Sequence, residues 1–311
     1  MGHESIVSVR NLTVRYRDRT AIDDLSFDVP AGNVLAVLGP NGAGKTTLIK
    51  TLTTLIRASS GSIQIAGHDA VAVPASVRRH SALTGQSSAI DPALTVTENL
   101  TMIGTLYGHA DPRRRGNEII DQLDLVDIAG RRVSELSGGN QRRADLALSL
   151  VSSPSVLFLD EPTTGLDPRA RSQLWNVVSG LTASGTSVIL TTQYLEEADR
   201  LADEVLLLDT GRAVAIGTPT ELKRRLGGHT ITMTADTARD VERTRAIADA
   251  QGLLLDEGVE LFQLSVATPH PAATGDFLSA FGKAEIALRD IEISRPTLDQ
   301  VFLSLTTGVN S

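Results

Sequence analysis

Val34-Leu35-Ala36-Val37-Leu38-Gly39-Pro40-Asn41-Gly42-Ala43-Gly44-Lys45-Thr46-Thr47 is the stretch on which the fold turns. The five apolar residues at its start predict a short buried strand, and the glycines that follow end it. Residues 46–55 carry a helical pattern, so the stretch reads strand, glycine-rich turn, helix. In that setting the backbone N–H groups of residues 41–46 can wrap a chain of phosphates, because glycine permits close approach and a helix N-terminus favours anions. Lys45 then supplies positive charge between the β- and γ-phosphates, and the Thr46 hydroxyl is suited to Mg²⁺.

Working outward, 156–160 and 187–191 predict two more buried strands, with a helix at 169–183 between them. Strand-helix-strand order implies a parallel sheet, hence an α/β core. Upstream, 6–17, 25–29 and 61–67 predict further strands. Residues 98–107, 117–123 and 141–150 have helical periodicity, which defines an insert spanning about 87–150.

The punctuation changes at Gly217-Thr218-Pro219-Thr220 and Gly227-Gly228. Beyond it the pattern reads strand 229–235, helix 236–250, strands 252–256 and 261–267, helix 274–283, strand 285–294 and helix 297–306. That series contains a split βαβ arrangement. The expectation is a first domain over 1–225 and a small α+β domain over 226–311.

The chain has 311 residues, 41% of them hydrophobic, and a formal net charge of −8. It is long enough for a full core and a second small one. No apolar run approaches the ~20 residues that span a bilayer, and the N-terminal MGHESIVSVRNL lacks the pattern of a secretory signal, so a cytoplasmic protein is expected. The acidic balance argues against nucleic acid as the main partner. The absence of cysteine removes disulfides and thiolate chemistry. The six histidines lack metal-ligand spacing, and Arg113–Arg115 and Arg142-Arg143 read as solvated or interface charges.

Two further motifs carry chemistry. Asp160 ends a predicted strand, where the carboxyl edge of an α/β sheet receives ligands, and it can hold Mg²⁺ through water. Glu161, one residue on, is placed to polarise a water attacking the γ-phosphate. Sixteen residues before this acidic strand lies Leu136-Ser137-Gly138-Gly139-Asn140, a turn opening a helix. Its hydroxyl and N–H groups make either an anion site or simply a helix cap.

With these motifs in this order, the chain resembles the nucleotide-binding subunit of an ATP-binding cassette (ABC) transporter over residues 5 to about 225. The resemblance implies a P-loop NTPase fold of ABC type, with an antiparallel β subdomain and a helical insert. It also implies that ATP is bound with Mg²⁺ and hydrolysed in a head-to-tail dimer of two copies. Ser137, Gly138 and Gly139 would then reach the γ-phosphate held by the other copy, with Asp167 of Gly165-Leu166-Asp167 at the same interface. Gln86 matches the family's glutamine loop, touching metal and water, and Tyr16 matches the ring that stacks on adenine.

Two positions depart from the family pattern. Gln193 stands where a histidine usually contacts the γ-phosphate, and its amide can donate a hydrogen bond without becoming cationic. Asn140 replaces the usual glutamine. Slow but real hydrolysis is expected. The strings Thr191-Thr192-Gln193-Tyr194-Leu195-Glu196-Glu197-Ala198-Asp199 and Arg295-Pro296-Thr297-Leu298-Asp299-Gln300-Val301-Phe302 are similar to the daunorubicin-resistance type of ATPase subunit. That similarity implies export of a hydrophobic drug or antibiotic through a separate permease, with this chain peripheral on the inner face of the membrane. The alternatives are a non-drug cargo such as lipid or glycan, or a soluble ABC ATPase acting on ribosomes or nucleic acid.

Overall fold

The computed structural model describes residues 5–17, 19–85, 89–226, 229–258, 261–284, 286–294, 297–298 and 300–301. Two compact units emerge, Met1–Thr218 and Pro219–Ser311.

The first unit begins with two long strands, β1 (Ser5–Tyr16) and β2 (Arg19–Pro30), paired antiparallel. Along β1 the buried apolar positions run Val7, Val9, then Leu12 and Val14. The alternation slips by one at a register shift where Asn11 takes φ +47°. Such a bulge keeps both halves of the strand facing the same core. β3 (Val34–Leu38) is buried at all five positions, as a strand covered on both faces must be. The glycine-rich turn leads into α1 (Lys45–Leu52), followed by β4 (Ser60–Ile65), the short β5 (His68–Asp69), α2 (Pro74–His80) and β6 (Ser81–Thr84).

Helices α3 (Val96–Leu106), α4 (Pro112–Gln122) and α5 (Gly138–Ser149) form the insert. The chain returns through β7 (Val156–Asp160), α6 (Pro168–Ala183), β8 (Ser187–Thr192), α7 (Leu195–Leu201), β9 (Glu204–Asp209) and β10 (Arg212–Gly217). Two sheets result. One is antiparallel, in the order β2-β1-β4-β5; the other runs β10-β9-β3-β8-β7-β6 and is parallel except for the edge pair β9 and β10. Leu48, Ile49 and Leu52 of α1 join a core shared by Val7, Val9 and Ile63 of the first sheet and Leu35, Val37, Phe158 and Ile189 of the second. With β8 lying between β3 and β7, the phosphate turn and Asp160 emerge on the same carboxyl edge.

The second unit comprises α8 (Pro219–Leu226), β11 (Thr230–Ala235), α9 (Ala238–Ala250), β12 (Leu254–Glu257), β13 (Gln263–Ala267), α10 (Pro271–Lys283) and β14 (Leu288–Ser294). Its sheet has the order β12-β13-β11-β14 with every pair antiparallel. This is the split βαβ topology. Ile231, Met233, Leu264 and Val266 pack with Phe277, Phe281 and Ala248 of its helices.

The sequence reading carried the first unit to residue 225, whereas the structure groups α8 with the second unit. β5, α2, β6, α7, β9 and β10 went unread, and β2 begins well before 25–29, at Arg19. Gln86 lies outside the described residues. So do residues 302–306 of the expected C-terminal helix and Arg295, Pro296, Asp299 and Phe302 of the C-terminal string.

Candidate active site

The turn from β3 to α1 is shaped by what a side chain could not occupy. A Cβ on Gly39 would stand 2.2 Å from the Leu208 carbonyl oxygen of β9. Gly44 has φ +110°, and a Cβ there would lie 2.6 Å from the Ala21 carbonyl oxygen. Gly44 is the residue that starts α1, and no side chain caps that helix. The first-turn N–H groups, which have no partner within the helix, are therefore left for a ligand.

Beside them lies an open cleft of about 450 Å³ lined by Tyr16, Arg19, Pro40, Asn41, Gly42, Gly44, Lys45, Thr46, Thr47 and Glu161. Ala43 faces inward instead, 3% exposed, and its carbonyl accepts from the Gly211 N–H at 2.9 Å. Lys45 is 4% exposed; its Nζ donates to the carbonyls of Gly39 at 2.7 Å and Pro40 at 3.2 Å and pairs with Glu161 Oε1 at 3.3 Å. Tyr16 is 44% exposed, so its ring presents an open face rather than core packing. Arg19 was not anticipated from sequence. It pairs with Tyr16 in the β1–β2 register, and its Nη2 donates to the Gly42 carbonyl at 3.2 Å.

Across β8, Thr191 Oγ1 donates to Asp160 Oδ1 at 2.6 Å, and Thr46 Oγ1 donates to the same oxygen at 3.3 Å. The Thr46 hydroxyl and the Asp160 carboxylate thus converge. Glu161 leaves the strand in the left-handed region, φ +49°, with its N–H donating to Thr191 Oγ1 at 3.0 Å and the Thr191 carbonyl at 3.1 Å. That turn separates its carboxylate from that of Asp160 and aims it towards Lys45.

Ser137 caps α5, its Oγ accepting from the Asn140 N–H at 3.4 Å. Gly139 packs so closely on α6 that a Cβ would meet the Ala170 Cβ at 2.6 Å. Asp167 caps α6, accepting from the Ala170 N–H at 2.9 Å. A second cleft of about 410 Å³ lies here, lined by Gly138, Gln141, Arg142, Asp145, Glu161, Thr164, Gly165 and Leu166. Glu161 borders both clefts. Gln193 is exposed in the bend after β8 and lines neither of them.

The structure corrects the reading of the arginines. Arg142 is largely buried and donates to the carbonyls of Gly85, Asp160 and Pro162. Burial pushes its pKa down, against the charges of Asp145, Asp160 and Glu197. Arg143 donates to the carbonyls of Leu123 and Asp124, and Arg115 to those of Leu150 and Val151, so both brace the insert internally.

Glu197 was also missed. It is fully buried in α7, accepting from Thr163 Oγ1 at 3.2 Å and Trp175 Nε1 at 3.1 Å. Burial raises its pKa above the ordinary carboxyl value of 4.5, opposed by hydrogen bonds from Thr192, Trp175 and Thr163 and by the charge of Arg171. A folded-state value above the unfolded one means that the folded chain holds this proton more tightly. The contribution to stability is present below the ordinary value and is lost as pH rises through the raised one. Glu197→Gln should remove that dependence. Melting temperatures followed from about pH 4.5 upward should fall relative to the variant in the wild-type chain; parallel profiles would refute the assignment.

A phosphate turn, a strand-end acid pair and a capped Ser-Gly-Gly helix start, carried on these two sheets, define a P-loop NTPase of the ATP-binding cassette class. The ABC transporter family profile matches residues 22–164. The chain is 43% identical over 305 residues to daunorubicin resistance ATP-binding protein DrrA3 of Streptomyces coeruleorubidus, covering 97% of this chain and 96% of that one. It is 45% identical over 300 residues to doxorubicin resistance ATP-binding protein DrrA of Mycobacterium tuberculosis, covering 92% and 88%. Among solved structures, the ATP-binding subunit of an ABC transporter aligns with a TM-score of 0.63 at 28% identity, covering 71% of this chain and 92% of that one. The chain belongs to the ABC transporter family, as an ATP-binding subunit. It is an ATPase, converting ATP and water to ADP and phosphate.

Proposed function

We propose that this chain powers export of a hydrophobic drug or antibiotic of the daunorubicin class through a separate membrane subunit. The observation that carries this reading is similarity to drug-resistance ATP-binding proteins along 97% of the chain, the second unit included. Among the described residues no helix is long and apolar enough to cross a membrane; in this reading the separate subunit forms the transport path. Attachment to the inner face of the membrane through that subunit follows from the same reading. The formal charge of −8 weighs against nucleic acid as the target.

In this reading the uncapped start of α1 and Lys45 hold the β- and γ-phosphates, and Tyr16 stacks on the adenine. The Thr46 hydroxyl and Asp160 are the Mg²⁺ residues, joined by Gln86. Among the described residues there is no group of three acids or histidines able to hold a metal by itself. A convergent hydroxyl and carboxylate instead suit Mg²⁺, which keeps waters and takes phosphate oxygens as ligands. When bound, it would neutralise charge developing on the phosphates. Glu161 accepts the proton of the attacking water while Lys45 balances the negative charge on the γ-phosphate; ADP and phosphate then leave. Ser137 and Gly139 close the site on the second copy, with Asp167 beside them. Gln193, which is exposed and lines neither cleft, is assigned to the γ-phosphate in that closed dimer. Residues 226–311 serve as an accessory module.

The test is resistance. Deleting the gene should sensitise cells to an anthracycline, and restoring the wild-type chain, but not a Glu161→Gln chain, should return resistance. Unchanged sensitivity, with ATP hydrolysis by the purified chain intact, would sink the cargo assignment and leave the ATPase assignment standing.

A further inference from the structure

The helix that opens with Ser137-Gly138-Gly139 carries Arg142 and Asp145 one turn apart on the same face. Their side chains are 14% and 5% exposed and pair at 3.5 Å. Burying two charges costs more than the attraction returns unless every donor and lone pair finds a partner, and an apolar pair would hold a helix here equally well. The partners are therefore informative. Arg142 Nη1 donates to the Gly85 carbonyl at 2.7 Å, and Asp145 Oδ1 accepts from the Ala89 N–H at 3.1 Å. These two residues bracket the segment that contains Gln86. On its other side the guanidinium donates through Nε to the Pro162 carbonyl at 3.0 Å and through Nη2 to the Asp160 carbonyl at 3.4 Å. Those carbonyls lie on either side of Glu161.

We propose that Arg142, seated by Asp145, is a positioning residue for ATP hydrolysis. Its planar fork fixes the backbone on both sides of Glu161 and registers it against the start of α5. The two halves of the chemistry then move as one piece: the anion clamp that the chain offers to the second copy, and the base that it uses on its own nucleotide. A guanidinium can span these acceptors because its donors diverge in one plane, which an ammonium cannot do. The proposal rests on the reading of Glu161 as the residue that polarises the water.

The test is steady-state ATP hydrolysis by the full-length chain, with equilibrium binding of radiolabelled ATP measured alongside. Displacing a reacting group by an ångström costs up to about 100-fold. Arg142→Gln should therefore lower kcat about tenfold or more while leaving the ATP dissociation constant within about threefold. Arg142→Lys, which keeps the charge and loses the fork, should fall nearly as far while still binding ATP within about threefold of the native constant. Native kcat in the lysine variant would overturn the proposal, and that variant decides the matter even if the glutamine variant folds poorly. In a Glu161→Gln background, adding Arg142→Gln should leave the residual rate unchanged, because the group being positioned is already gone. A further drop of the same factor would mean that Arg142 acts independently of Glu161, and the proposal would fail. If Glu161→Gln alone hydrolyses ATP at the native rate, the underlying assignment of Glu161 fails instead.

Discussion

Glu161→Gln is expected to reduce ATP turnover by at least about 100-fold, the usual share of a positioned general base, while leaving ATP binding intact or tighter. The second half of that expectation comes from the geometry. Lys45 Nζ is held at 3.3 Å by the Glu161 carboxylate. An incoming phosphate must compete for that ammonium. An amide keeps the volume of the side chain and removes the competing charge, so the variant should hold ATP without consuming it. If two copies close around nucleotide, it should also run as a dimer on gel filtration in ATP and as a monomer in ADP. A variant that binds ATP and turns it over at the native rate would remove Glu161 from the chemistry.

Lys45→Ala should have the opposite signature. Loss of a charge-assisted hydrogen bond to phosphate is worth about 1.5–3 kcal/mol, or roughly 10- to 150-fold in affinity. Lys45 also carries a structural duty, because it is 4% exposed and satisfies two backbone carbonyls together with Glu161. Removing it leaves the carboxylate facing those carbonyls without compensation. The single variant is therefore expected to melt at lower temperature as well as to bind ATP weakly. Combined with Glu161→Gln, it should regain most of the thermal stability and none of the affinity. Calorimetric melts and ATP titration of the single and double variants separate the two duties. Recovery of both together would mean that Lys45 acts only as the partner of Glu161.

What could be read in the sequence divides along a physical line. β3 and β7 were placed to the residue because each is a run of apolar side chains buried at every position and stopped by glycine, or by an acid pair before proline. The phosphate turn was legible for the same reason, its glycines being demanded by its own backbone, whereas Asp160 and Glu161 were reached through the order of the motifs, since their partners Thr191 and Thr46 lie 30 to 114 residues away. The strand Glu204–Asp209 is just as buried at its centre, but carries no motif of its own. Arg142 was misread because an arginine pair on a helix looks solvated. Its acceptors are backbone carbonyls 57, 20 and 18 residues away, and nothing in their sequence advertises them. Glu197 sits within a run of acids that resembles an exposed helix face. Only Trp175 and Thr163, brought over it by α6 and the turn after β7, turn it into a core residue.

Trp175 is the chain's single tryptophan. Its indole N–H is bound to Glu197, and the Arg200 guanidinium lies 5.2 Å over its ring. It therefore stands between the helix that Asp167 starts and the helix that follows Gln193. The wavelength and intensity of its emission depend on both contacts, so the protein carries an unlabelled optical gauge at this junction. Stopped-flow fluorescence on the wild-type chain could follow rearrangements there in real time, without a dye or an engineered residue.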